Sequence, residues 1–228
     1  MTTTAEYLAH VARVGPFFTV HTGTAMPSPG FLRLADLHTP GRALDTYTAF
    51  VGARLGTRDA RVAASTAHLG VAARLWSLAL ASAALHGRVP DLGALWLRPD
   101  PAGTRWWLPD PRDADGPDPA SAAYTTVMAD HLTPLGDAVR RGTGVSPHTL
   151  RGNAASALAG ALRVLLHAAP TARSALPLTR ALLAREPLRD AGRLHVDATG
   201  DPAYARRNCC LYYRVPGAAT CGDCVLRQ

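Results

Sequence analysis

The longest predominantly apolar segment of the chain runs from Asp59 to Leu85 and predicts its best-defined helix. Asp59 is a favoured N-cap residue, and Gly87 followed by Pro90 supplies the expected stop signals. Because apolar side chains occur on all sides of this segment, we expect it to be the central helix of a bundle, buried on most faces. His68 and Arg74 are its most conspicuous polar exceptions.

Other helical segments are separated by Gly and Pro residues, which interrupt regular structure. Pro134 is expected to kink or split one of them, and the Ser146-Pro147 pair is a favourable helix start. The predicted segments are residues 6–14, 42–56, 120–141, 146–170 and 171–185, with a short strand at 193–196.

Residues 92–108 predict a β-hairpin, in which ALWLR and RWWLP flank the turn-rich PDPAG segment. The hairpin places Trp96, Trp106 and Trp107 on short strands, where they either cover the helical core or form the wall of a ligand pocket. The acidic segment that follows, residues 109–119, is predicted to be a mobile loop.

The pattern as a whole predicts a mainly α fold with a small β-hairpin, an α+β arrangement in two parts. Residues 1–200 are expected to form the mostly helical domain, and residues 201–228 a C-terminal cysteine-rich segment. With 228 residues, 47% of them hydrophobic, the chain is long and apolar enough for a real core. The low aromatic content, 6%, also favours helices over a β-sandwich.

The charge pattern argues against a nucleic-acid partner, and the length of the apolar runs argues against a membrane span. The 24 basic residues are all Arg and give a net charge of +7 against 17 acidic residues, but the two signs are interspersed, so we expect no nucleic-acid partner. No membrane span is expected either, because the longest uncharged apolar run, Leu75 to Leu85, is well short of about 20 residues. The N-terminus has no basic region and carries Glu6, so we expect a cytoplasmic protein. We also expect a monomer.

All four cysteines lie near the carboxyl end, as Cys209-Cys210 and Cys221-Gly222-Asp223-Cys224. This clustering favours a metal or cluster site over a disulfide framework, and C-x2-C is a common metal-binding turn. Two consecutive cysteines make an awkward chelate for one tetrahedral zinc, whereas a [2Fe–2S] cluster spreads its ligand positions more widely. A structural zinc site, a redox dithiol of Cys221 and Cys224, and a disulfide remain alternatives to the favoured cluster.

Four arginines surround this motif: Arg206, Arg207, Arg214 and Arg227. They could offset the negative charge of metal-bound thiolates, which would raise the reduction potential, or dock an acidic electron donor or an anionic ferric chelate. The alternative is that these are ordinary solvent-exposed arginines without a specific role, as expected in a chain rich in arginine.

The segment CCLYYRVPGAATCGDC resembles the C-C-x10-C-x2-C ending of the siderophore-iron reductase family of the FhuF type. The resemblance implies that Cys209, Cys210, Cys221 and Cys224 ligate a [2Fe–2S] cluster. It also implies an iron-acquisition oxidoreductase that transfers one electron to an Fe(III)–siderophore, often of hydroxamate type, and releases iron as Fe(II).

The partners follow from this resemblance and from missing motifs. The absence of GxGxxG and P-loop patterns predicts an external electron donor, a ferredoxin or a flavin reductase. We expect the ferric siderophore to bind in a cleft between the helical domain, the Trp hairpin and the cysteine tail, with Trp106 and Trp107 as candidate contacts. The alternative function is a non-enzymatic binding protein with a structural four-cysteine zinc knot. His68, Arg151 and Asn153 are further candidate ligands, although packing or capping is the commoner role of such residues.

Overall fold

The computed structural model describes residues 2–24 and 29–227, without the side chain of Arg227. More than half of the chain, 55%, is helical, which confirms the mainly α class. The α-helices are α1 (Thr4–Val11), α2 (Arg42–Leu55), α3 (Ala60–His86), α4 (Pro119–Tyr124), α5 (Thr133–Thr143), α6 (Pro147–Ala168) and α7 (Ala175–Leu183). The strands are β1 (His21–Gly23), β2 (Leu32–Arg33), β3 (Trp96–Asp100), β4 (Gly103–Pro109), β5 (Gly192–Val196) and β6 (Pro202–Arg206).

Helix α3 is the central element of the core, as predicted. The Asp59 carboxylate caps it by accepting hydrogen bonds from the backbone N–H groups of Arg61 and Val62, at 3.0 and 3.3 Å. Gly87, with φ of 67°, ends it in the left-handed conformation that favours glycine. Trp76 and its apolar neighbours are fully buried. The helix therefore supplies a rigid frame that the other elements surround.

Length and apolar composition alone would allow α3 to cross a membrane, but 72% of its most apolar window is buried inside the protein. Contacts with α1, α2, α5, α6 and α7 cover it. The length and apolar character of the helix are thus explained by its place in the core of the fold.

Pro134 shapes the predicted segment 120–141. The chain forms α4, continues as a wide π-helical segment over Thr125–Leu132, and resumes as α5 with Pro134 in its first turn. Proline lacks an N–H and is tolerated at a helix start, so the change from π-helix to α-helix lies next to Pro134, although Leu132 and Thr133 keep helical backbone angles and the helix is not interrupted there.

The predicted Trp hairpin is confirmed as β3 and β4, which pair antiparallel with Trp96 opposite Trp107. Two short strands from residues 16–40, a segment whose prolines predict loop and short strand pieces, complete the sheet with pairings that were not predicted: β1 pairs parallel with β4, and β2 pairs antiparallel with β3. The order of the four-stranded sheet is β1-β4-β3-β2. Trp106 is buried against the core with 4% of its surface exposed.

The acidic segment 109–119, predicted to be mobile, is attached to the body of the protein through Asp113. Its carboxylate accepts hydrogen bonds from the Thr4 and Tyr7 hydroxyls, at 2.9 and 3.0 Å, and pairs with Arg88 at 2.5 Å. The backbone N–H of Ala114 also donates to Val89 O at 2.8 Å. These contacts link the segment to α1 and to the chain that follows α3.

The second sheet joins the helical region to the cysteine segment. Strands β5 and β6 pair antiparallel, with Gly192 opposite Arg206. This hairpin spans the predicted boundary at residue 200, so the two predicted parts share a structural element there. The division of the chain at residue 200 stays a prediction. Strand β6 leads directly to Cys209.

The β5–β6 hairpin depends on the small size of Gly192. A methyl group at this position would lie 2.5 Å from the Tyr204 hydroxyl and closer still to the backbone oxygen of Ala205. We expect Gly192→Ala to lower the free energy of unfolding by about 1–3 kcal/mol, as overpacking does, measured by chemical denaturation.

The matched control is Gly142→Ala in α5, where an added methyl meets nothing within 4 Å. This variant should be neutral or more stable by up to about 1 kcal/mol, because alanine is the better helix former. Equal stability of the two variants would contradict the packing argument.

Candidate metal centre

The two cysteine pairs are brought together by a reversal of the chain between them. Leu211, with φ of 70°, starts the reversal, and a single helical turn follows at Tyr212–Arg214. The Sγ atoms of Cys210 and Cys221 lie 3.4 Å apart as a result. The N–H of Cys224 donates to Cys221 O at 3.2 Å, which closes the tight turn predicted for C-x2-C.

The four thiols differ in exposure. Cys210 and Cys224 are buried, whereas Cys209 and Cys221 are half-buried. The backbone N–H of Leu211 donates to Cys209 Sγ at 3.3 Å. Across residues 2–24 and 29–227, no three His, Cys, Asp or Glu side chains form a group that could hold one metal ion.

The Cys210–Cys221 contact also sets the acidity of these two thiols. The hydrogen bond from the Cys221 thiol lowers the pKa of Cys210 to about 6, because it stabilises the thiolate. The same pairing raises the pKa of Cys221.

Two core helices hold the backbone of the first cysteine pair. The Ser65 hydroxyl of α3 donates to Cys210 O at 2.7 Å, and the Thr149 hydroxyl of α6 donates to Cys209 O at 3.1 Å. Asn153 of α6, fully buried, donates through Nδ2 to Ser65 O and Oγ, at 2.9 and 3.0 Å. Asn153 thus has a packing role, and it fixes the hydroxyl that holds Cys210.

Arg206 completes this buried network. Only 1% of its surface is exposed, and its guanidinium donates to Asn153 Oδ1 at 2.7 Å and to Asn208 O at 3.1 Å. The prediction that Arg206 docks a substrate or donor is therefore not supported by its position, because the group is inside the protein. Its charge instead favours the thiolate forms of Cys209, Cys210 and Cys221.

The other two candidate arginines with described side chains lie at the surface. Arg207 pairs with Asp190 at 3.3 Å and Arg214 pairs with Asp59 at 3.1 Å, with 64% and 46% of their side chains exposed. Both remain accessible to a partner protein.

A cleft of about 540 Å³ adjoins the second cysteine pair. Gly222 and Asp223, which lie between Cys221 and Cys224, form part of its wall. Most of the remaining wall consists of small or apolar residues of α3 and α6 and of the segment Gly15–Phe18. The buried Tyr204 hydroxyl, which has no hydrogen-bond partner among the described residues, also lies at this cleft.

A second cavity of about 600 Å³ lies next to the first, since Pro16, Phe17 and Gly70 line both. Trp106 lines the second cavity. Trp107 lines neither cavity and instead lies against Gly23, where an added Cβ would meet its ring at 3.0 Å. We call the two cavities together the groove.

His68 is a core residue. Burial lowers its pKa to about 4, and it hydrogen-bonds to the backbone of Leu132. Arg151 lies at the surface and contacts His148 at 3.0 Å.

Sequence reasoning missed Ser65, Thr149 and Tyr204, because isolated hydroxyls in helices and strands give no signal of a site.

Comparison with known families identifies the cysteine segment. Residues 206–226 match the FhuF 2Fe-2S C-terminal domain, a match that includes all four cysteines and Arg206. No curated protein matches the chain. The C-terminal segment is therefore of the FhuF type, and the cofactor that this domain indicates is a [2Fe–2S] cluster.

The residues present fit this cofactor. Cys210 and Cys221 are in contact, Cys209 interacts electrostatically with Cys210 and Cys224, and thiolates are the usual ligands of iron–sulfur clusters. The Leu211 N–H donates to Cys209 Sγ, and hydrogen bonds to sulfur are a means of setting a cluster's potential. The buried Arg206 guanidinium supplies positive charge beside them.

The network predicts that Asn153 stabilises the cysteine segment from a distance. Asn153→Ala removes the acceptor of Arg206 and the donor to Ser65, which leaves buried polar groups without partners. We expect the free energy of unfolding to fall by about 2–3 kcal/mol, measured by denaturation, with reduced iron content of the purified protein.

His167→Ala near the exposed end of α6 is the control and should change stability by less than about 0.5 kcal/mol. If Asn153→Ala kept the stability and iron content of the unchanged protein, the network would not hold the site.

Proposed function

We propose that this protein is a cytoplasmic ferric-siderophore reductase that passes one electron to an Fe(III)–siderophore, of hydroxamate type, and releases Fe(II). The observation that carries the proposal is the position of the 540 Å³ cleft, whose wall includes the two residues between Cys221 and Cys224. A substrate in this cleft lies directly against the cysteine segment.

We assign Cys209, Cys210, Cys221 and Cys224 as the cluster ligands. When bound there, the cluster supplies a one-electron reductant. The protein's residues contribute position and charge: Ser65 and Thr149 hold the backbone of the first pair, and Arg206 offsets negative charge at the thiolates. Positive charge beside the sulfurs favours the reduced state and so raises the potential.

Reduction is a sensible way to release iron from such a chelate. Hydroxamate oxygens bind the hard Fe(III) ion much more tightly than the softer Fe(II) ion. One electron enters and Fe(III) becomes Fe(II), with no covalent bond to the protein formed or broken. The largely apolar wall of the cleft limits water around the bound chelate.

The electron must come from a partner, for which we propose a ferredoxin or a flavin reductase. Arg207 and Arg214 flank Cys209 and Cys210 in sequence and keep much of their side chains exposed. They are suited to an acidic donor because opposite charges steer two proteins into contact.

Cys210→Ser tests the cofactor and the activity together. Protein purified without oxygen should contain iron and acid-labile sulfide, show visible absorption, and, once reduced, convert a ferric trihydroxamate to Fe(II) trapped by a ferrous chelator. We expect the variant to lose or shift the absorption and to lose at least about tenfold in reduction rate, because one thiolate ligand is replaced.

Tyr213→Phe is the control, since this exposed residue lies between the two cysteine pairs and carries no thiol. It should keep both properties. Colourless protein holding one zinc would overturn the proposal in favour of the structural zinc knot, and a cluster that never reduces the chelate would overturn the reductase.

Donor docking predicts a separate effect of surface charge. With an acidic ferredoxin as donor, Arg207→Gln together with Arg214→Gln should raise the KM for the donor roughly threefold to tenfold and reduce its dependence on salt. The exposed Arg173→Gln is the matched control and should leave the KM unchanged. An equal effect of the control would show that net charge, not this surface, is responsible.

A further inference from the structure

The second half of the groove is cationic. Arg54, Arg74, Arg105 and His21 line it, and its lining in the described part of the chain includes no Asp or Glu. Its volume of about 600 Å³ is large enough for a small organic group.

Arg74 of α3 forms the buried part of this lining. Only 9% of its surface is exposed, and it has no carboxylate partner among the described residues. One guanidinium nitrogen donates to Pro16 O and Thr19 O, at 2.6 and 2.5 Å, while the buried Nε has no hydrogen-bond partner. Burial lowers its pKa to about 10, which reflects the cost of burying this charge.

Aromatic rings hold this guanidinium in place. Its central carbon lies 5.5 Å from the ring centre of Phe17 and 5.6 Å from that of Trp106. A positioned, partly desolvated cation costs free energy unless an anion approaches it. The arrangement is therefore that of a preformed anion site.

Two further arginines lie at the exposed rim of the same cavity. Arg105 contacts Asp100 at 3.1 Å but keeps 56% of its side chain exposed. Arg54 is exposed and donates to the backbone oxygen of Pro101. Arg98 also approaches Asp100, at 3.8 Å, so that one carboxylate is shared between two guanidinium groups. The positive charge at the rim is thus only partly neutralised.

The cationic half and the half beside Gly222 and Asp223 are neighbours. Pro16, Phe17 and Gly70 line both, and 51% of the Phe17 surface is exposed. A ligand long enough to occupy both would contact the cysteine segment at one end and Arg74 at the other.

We propose that this cationic half binds pendant carboxylates of the ferric chelate, so that the protein prefers carboxylate-bearing siderophores to neutral ones. This inference rests on the proposed function and names its substrate class. Arg54, Arg74 and Arg105 provide charge-assisted hydrogen bonds to the carboxylate, and arginine can make two such bonds at once.

The test measures binding apart from electron transfer. Ga(III) complexes of two synthetic trihydroxamates, identical except for one pendant carboxylate, are titrated into the holoprotein by calorimetry, since Ga(III) does not accept the electron. We expect the carboxylate complex to bind about tenfold more tightly, the size of one charge-assisted hydrogen bond. Arg54→Gln with Arg105→Gln should reduce that ratio severalfold, and Arg74→Gln should abolish it.

Arg173→Gln is the matched control and should keep the ratio. Arg74→Gln risks misfolding because Arg74 also holds the 16–19 backbone, so the exposed double variant provides an independent test. Equal binding of the two Ga(III) complexes, or a preference unchanged in the double variant, would overturn the inference. Metal-free acetate binding as tightly as the carboxylate complex would also overturn it, because the site would then be a simple anion site.

The measurements distinguish failure of the reductase proposal from failure of the carboxylate-binding proposal. A carboxylate preference in the Ga(III) titration without any ferric reduction would refute the reductase and leave the anion site standing. Reduction of both ferric chelates with equal KM would support the reductase and refute the anion site.

Discussion

The buried contact between Arg206 and Asn153 is the interaction on which the arrangement of the cysteine segment depends. It ties the end of β6 to α6, and through Ser65 it reaches α3 and the backbone of Cys210. Each residue of this network hydrogen-bonds to a polar group of the next one. Removing one residue therefore leaves buried polar groups of its neighbours without a partner, which lowers the free energy of unfolding. The cysteine segment is positioned in this way by polar contacts to the rigid helices of the core.

Arginine is the only basic residue besides histidine in this chain, and the fold uses it both in the interior and at the surface. A guanidinium is more weakly hydrated than an ammonium group and has five directional donors, so it is the cation best suited to burial. Arg206 meets neutral acceptors beside the thiols, and Arg74 meets backbone oxygens and aromatic rings at the other end of the groove. Composition alone cannot separate these buried arginines from solvated ones such as Arg207.

The sequence was most informative where a local rule decides the outcome. Asp59, Gly87 and Pro134 fix helix ends through caps and missing donors, and the cysteine spacing identifies the cluster type through its resemblance to the FhuF family. The pairing of β1 with β4 was missed because it joins residues far apart in the chain and leaves little periodic signal. The burial of Arg206 was missed for the same reason, since its acceptor on Asn153 lies on a distant helix.

Helix α3 also sets the spacing of the groove. Ser65, which holds Cys210, Gly70, where the two cavities meet, and Arg74, at the cationic end, follow one another along it. At 1.5 Å per residue, Ser65 and Arg74 are about 14 Å apart along the axis. Because this helix is buried on most faces, that separation is fixed by the core of the fold. If a chelate binds with its carboxylate at Arg74, as proposed, its remaining length can extend toward the cysteine segment, and the same rigid helix would then set both the binding position and the distance to the cysteines.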